Sequence, residues 1–148
     1  MGSRRKGRIL AFQALYSWDA HYSQTGAASI PDGLLDFSWA QQDTVPDDDE
    51  MTAFSRLLVC GTIENISAVD SMIQKHLQNW ELIRLNKVDL AVLRMSVFTL
   101  MFQTNMPPSI VIDEAIDIAK EFGTDDSYRF VNGVLDGIRK TLASCPGH

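Results

Sequence analysis

Apolar residues recur at helical spacing along nearly the whole chain. Ala11, Leu15, Trp18 and Tyr22 fall at intervals of 4, 3 and 4, which makes one core-facing stripe and predicts a helix from about Ser3, its candidate N-cap, to Tyr22. Phe54, Leu57/Leu58, Gly61, Ile63, Ile66, Val69/Asp70, Ile73 and Leu77 keep the same period. They predict one long helix from the acidic run Asp47–Glu50, whose carboxylates complement the positive end of a helix dipole, to about Asn79. Gly61 is placed either to bend that helix or to admit a close contact. Leu90 to Phe102 is apolar on almost every side, so the helix expected over Asn86–Thr104 reads as the central one. Pro107-Pro108 stops and restarts the chain. Ile110, Ala115, Ile118, Ala119 and Phe122 then give an amphipathic helix ending at Gly123, read as a C′ residue. Thr124, Asp125 and Asp126 supply the cap of a last helix, Ser127–Ala143. A short helix is expected near Asp32–Gln41, and Trp80–Leu85 reads as a connector. No stretch alternates apolar and polar residues long enough for a half-buried strand, so the fold class is all-α.

A chain of 148 residues is one domain, and at that size it buries roughly two-thirds of its unfolded surface without staples. Its 45% hydrophobic and 22% charged residues are ordinary for a globular protein and exclude collagen-like, disordered and disulfide-scaffold classes. The longest nearly uncharged stretch, Leu90–Asn105, is interrupted by Arg94 and falls short of the roughly 20 apolar residues of a membrane span. The start of the chain is basic but lacks the apolar segment of a signal peptide. The expected location is the cytoplasm, with no membrane partner. Cys60 and Cys145 stand in no CxxC, and His21, His76 and His148 are scattered. The cysteines read as two reduced thiols, one buried and one in a tail, and neither a metal site nor a cofactor is expected.

Charge is uneven. The net formal charge is −6, which by itself argues against nucleic acid. Yet Arg4, Arg5, Lys6 and Arg8 open the chain with four cations, leaving nine basic against nineteen acidic residues elsewhere. Cations at a helix start work against the dipole, so folding alone gives no reason for them, whereas an anionic partner does. At 100° per residue, positions 12 and 16 each fall within about 20° of position 5. Arg5, Phe12 and Tyr16 therefore share a face, with Arg8 nearby. Guanidinium for phosphate and an aromatic ring for base stacking suit single-stranded RNA. A frayed basic terminus with Tyr16 in the core fits the same pattern equally well.

No enzyme motif stands out: there is no GxSxG, P-loop, HExxH or dinucleotide fingerprint. Asp113, Glu114 and Asp117 crowd one helix and read as solvated carboxylates near a helix start. Gly133 and Gly137 each cost about 1 kcal/mol relative to alanine inside a helix, which suggests close approach by another helix. Tyr128 and Phe130 follow the Asp125-Asp126 cap as half-exposed aromatics.

Four blocks in order, RRKGRILAFQALYSWD at 4–19, NKVDLAVLR at 86–94, PPSIVIDEAIDIAKEFG at 107–123 and DSYRFVNGVLD at 126–136, resemble the bacterial antitermination family NusB. The resemblance covers nearly the whole chain and is weakest at 23–52. It implies two packed helical subdomains of about six to seven helices, divided here as 1–79 and 80–148. It also implies a protein that is not an enzyme: one that binds boxA, a single-stranded element of ribosomal RNA transcripts, together with the small-subunit ribosomal protein NusE, and helps assemble an antitermination complex on RNA polymerase with other Nus factors. Position by position, the family's RNA contacts fall on Arg4, Arg5, Lys6, Arg8, Tyr16, Asp126, Ser127 and Phe130, with Asn132 and Gly133 in the same block. Asp89 takes the place of the acidic residue turned toward NusE and RNA. The resemblance also favours Tyr16 over Phe12 as the RNA contact. Departures are Asp113 where the family usually has Asn, Thr99 where it often has Glu, and an acidic loop at 24–50.

Two other readings follow from the same residues. One is a helical protein–protein module or homodimer that does not bind RNA. The other is a domain attached to an RNA cytosine methyltransferase, for which this chain has no catalytic domain and no glycine-rich loop for a methyl donor.

Overall fold

The computed structural model describes residues 2–31, 33–37, 49–78 and 81–144, with the side chains of residues 2, 3 and 49 left undescribed. Six α-helices follow one another: α1 (Gly2–Thr25), α2 (Asp49–Glu64), α3 (Ile66–Lys75), α4 (Lys87–Phe102), α5 (Pro108–Phe122) and α6 (Ser127–Ala143), with short 3₁₀ turns at Leu34–Asp36 and Leu82–Arg84. No strand occurs among the described residues. The Leu34–Asp36 turn stands inside the helix expected near Asp32–Gln41, most of which lies outside the described residues, as do Asp47, Asp48, Asn79, Trp80 and Cys145.

α4 is the axis of the fold. It packs against α1, α2, α3, α5 and α6, and every residue from Asp89 to Leu100 is buried. That all-round burial matches the apolar run seen in the sequence. Asn86 caps the helix, its side chain accepting a 2.8 Å hydrogen bond from the Val88 N–H. Buried residues from all six helices, among them Leu15, Leu58, Ile73, Leu93, Ile118 and Leu135, form one continuous core.

The single long helix expected to reach Asn79 is two helices. Asn65 divides them with non-helical backbone angles of φ −111° and ψ 22°, while its side-chain amide and its own N–H both donate to the Gly61 carbonyl, at 2.8 and 3.1 Å. Gly61 itself serves a close contact: a Cβ there would lie 2.1 Å from the Phe98 ring. Of the two glycines on α6, only Gly137 is closely approached, by His76, while a Cβ at Gly133 would meet open space. The expected close approach at Gly133 is therefore absent. α1 already includes Gly2, so Ser3 lies inside the helix and is not its cap.

Candidate nucleic-acid interface

The four N-terminal cations sit on a regular helix, each held differently. Gly7 lets α1 lie close to α2: an added Cβ would come 3.1 Å from the Phe54 ring, and Ser55 Oγ donates to the Gly7 carbonyl at 2.8 Å. Phe54 thereby becomes a platform for two guanidinium groups, Arg4 at 5.0 Å and Arg8 at 5.6 Å from its ring centre. Arg8 is buried, with Nη1 3.6 Å from Glu114 Oε2. Burial pulls its basicity below the ordinary value, Glu114 opposes that pull, and Arg4 adds to it. Arg5 faces α5, with Nη2 2.6 Å from Glu121 Oε1 and Nη1 3.7 Å from Asp117 Oδ2. Lys6 is exposed and has no salt-bridge partner among the described residues.

The face shared by Arg5, Phe12 and Tyr16 meets the end of α5. Phe12 is buried with its ring centre 5.2 Å from that of Phe122, whereas Tyr16 is 47% exposed. Phe12, Gln13, Tyr16, Val88 and Phe122 line a shallow recess of about 200 Å³. The structure thus places the Tyr16 ring at the surface, with Phe12 in packing beneath it.

Val88 leads directly to Asp89, in the first turn of α4. Asp89 is buried, and its Oδ1 has no partner among the described residues. Burial raises its pKa above the ordinary carboxylate value, and the Ser127 hydrogen bond only partly offsets this. Ser127 is itself buried, its Oγ accepting from the Thr124 N–H at 3.0 Å. Of the three residues expected to supply the cap, Thr124 meets Ser127 through this bond, while Asp126 holds the N-cap position and makes no side-chain cap bond. Gly123 makes room for the arrangement. A Cβ there would lie 2.5 Å from Ser127 Oγ, while its φ of −95° is not left-handed. The residue is a spacer, not the C′ residue in left-handed conformation that helix ends commonly use. Asp126 is exposed, and Phe130 is half-buried against the core.

Three carboxylates escaped the sequence reading as part of this face. Glu114, Asp117 and Glu121 stand at i, i+3 and i+7 on α5, and all three engage α1 arginines. Glu114 and Asp117 are not merely solvated, and only the i, i+3, i+7 spacing hinted at a common face. Among the described residues no cluster of histidine, cysteine or carboxylate is suited to a metal ion.

The model of the NusB family matches residues 5–140. The chain belongs to the NusB family. The match takes in every candidate contact except Arg4, one residue outside it. The chain is 53% identical over 136 residues to the transcription antitermination protein NusB of Treponema denticola, covering 92% of this chain and 95% of that one. Its fold is similar to that of T. maritima NusB, with a TM-score of 0.77, 35% identity and coverage of 93% and 90%. It is also similar to a chain in a crystal structure of the antitermination factors NusB and NusE with double-stranded RNA, with a TM-score of 0.78, 28% identity and coverage of 95% and 98%. The all-helical NusB architecture expected from the sequence is the observed one, and no helix among the described residues is long and apolar enough to cross a membrane.

Proposed function

We propose that this NusB-family chain is an RNA-binding transcription antitermination factor that takes up boxA RNA of ribosomal RNA operons jointly with NusE and helps assemble an antitermination complex on RNA polymerase in the cytoplasm. The observation that carries the proposal is the surface-exposed Tyr16 ring on the same face of α1 as Arg5. A phosphate-binding guanidinium and a free π-face on one rigid helix suit a single strand. The relative crystallised with NusE and RNA supports the same partners.

In this scheme Arg4, Arg5 and Lys6 meet phosphates, and Tyr16 stacks on a splayed base. Phe130 and the exposed Asp126 border the strand from α6. Arg8 and Ser127, both buried, act from behind by fixing Phe54 and Asp89. Asp89, buried in the first turn of α4, stands as the acidic residue on the NusE side. The role is binding, and no catalytic step is part of it.

The test is fluorescence anisotropy of a labelled boxA RNA titrated with the chain alone and with NusE, at two salt concentrations. Tighter binding with NusE is expected, with a log–log salt slope of about −0.7 for each phosphate contact. Absence of binding in both arms refutes the proposal.

A further inference from the structure

We propose that Asp117 and Glu121 of α5 are an internal competitor for RNA at Arg5, so that a phosphate binds there only by displacing a carboxylate of the protein itself. The inference rests on the RNA-binding role proposed above. Both ends of the Arg5 guanidinium are engaged, Nη2 by Glu121 at 2.6 Å and Nη1 by Asp117 at 3.7 Å. Those are the nitrogens that a phosphate would take in a bidentate contact. Arg5 stands inside a continuous helix, so its backbone cannot move to serve both acceptors.

The same pair is open to exchange. The side chains of Arg5, Asp117 and Glu121 are 36%, 56% and 50% exposed. Arg8, at 9%, shows the contrast: its guanidinium is enclosed with Glu114 and Phe54 and is not available for swapping. Two carboxylates on successive turns of α5 thus hold Arg5 in a ready position while lowering its apparent affinity for phosphate. Since exposed ion pairs are weak, the exchange costs a few-fold in binding and does not block it.

The experiment measures anisotropy of fluorescein-labelled boxA RNA with the full chain and NusE at low salt, for the parent, Glu121→Gln, Asp117→Asn/Glu121→Gln, Arg5→Ala and Arg5→Ala/Glu121→Gln. Circular dichroism confirms that each variant is folded. Glu121→Gln is expected to bind RNA about two- to fivefold tighter than the parent, the range that an exposed pair can supply. The gain should disappear in the Arg5→Ala background and shrink at high salt. An equal gain in that background would mean general relief of charge repulsion and would overturn the competition. An unchanged affinity for Glu121→Gln and the double variant, with the parent binding normally, overturns the competition and leaves the RNA-binding role standing. Failure of every chain to bind RNA overturns both.

Discussion

Arg94 and Asp70 meet through two parallel hydrogen bonds, Nε to Oδ1 at 2.9 Å and Nη2 to Oδ2 at 3.0 Å. The same guanidinium donates to Asp19 at 2.7 Å, and Lys87 Nζ reaches the other oxygen of Asp19 at 3.1 Å. One buried cation on α4 therefore ties α1 to α3, stacked near Trp18 and Tyr22 at 5.8 and 5.6 Å from their ring centres. Burial opposes the charge, but the hydrogen bonds and charges of Asp70 and Asp19 outweigh it and hold the guanidinium above its ordinary value. Replacing Arg94 with alanine leaves half-buried Asp70 without this partner and Asp19 with Lys87 alone, and is expected to cost about 3 kcal/mol, the low end for breaking a buried pair. Urea unfolding at neutral pH measures it, and a loss under about 1 kcal/mol would show that water satisfies both acids.

The helices were legible because each buries a stripe that repeats every three or four residues, and α4 because its Leu90–Phe102 stretch is apolar on almost every side. What the pattern did not reveal depends on contacts between distant segments. The break at Asn65 lies in the backbone angles of one residue, and apolar spacing runs through it undisturbed. Helical spacing put Phe12 and Tyr16 on one face without ranking them, and only the family resemblance favoured Tyr16. The Phe122 ring decides, by covering Phe12 and leaving Tyr16 at the edge of the recess. The Arg5–Glu121 pair spans 116 positions, a separation at which charge patterning within a helix carries no information.

Gly61 supplies a second test of packing. A methyl group at this position would fall 2.1 Å from the Phe98 ring, and Phe98 is buried with a second ring, Phe102, 5.7 Å away. Gly61→Ala improves helix propensity by about 1 kcal/mol, yet the clash is expected to cost more, for a net loss of about 1–3 kcal/mol. Shrinking the obstacle in the double variant Gly61→Ala/Phe98→Leu should recover part of that loss. Unfolding midpoints in denaturant decide the matter, and a Gly61→Ala protein as stable as the parent would show that α2 and α4 are free to move apart.

Phe12 and Tyr16 should separate stability from binding. Phe12→Ala empties a buried site beside Phe122 and is expected to destabilise the fold by about 3–5 kcal/mol. Tyr16→Ala removes an exposed ring, so its stability should stay within about 0.5 kcal/mol of the parent. If the ring stacks on a base, its RNA affinity should drop by about 1–3 kcal/mol. Tyr16→Phe keeps the π-face and should retain most of the binding. Parallel melts and RNA titrations check all three. Full RNA affinity in Tyr16→Ala would remove stacking from the interface.

Asp89 joins stability, pH and partner in one residue. Its folded pKa is raised by burial, with the Ser127 hydrogen bond only partly compensating. For a carboxyl group this means that the folded state binds more protons than the unfolded state between the ordinary value, about 3.9, and the raised one. Stability from this residue is then greatest in acid and falls as pH rises through that window. Asp89→Asn has no charge to bury. It is expected to be more stable than the parent at neutral pH by about 1 kcal/mol, the low end of the cost of a buried polar group without a partner. Its advantage should fade toward pH 4. Denaturant unfolding at the two pH values measures the difference, and a less stable Asp89→Asn at neutral pH would mean that the carboxylate is satisfied in the free protein. A residue that weakens its own fold needs another reason to be acidic. The proposed reason is its place on the NusE side of α4, so the same variant should gain stability while losing affinity for the NusE–RNA pair.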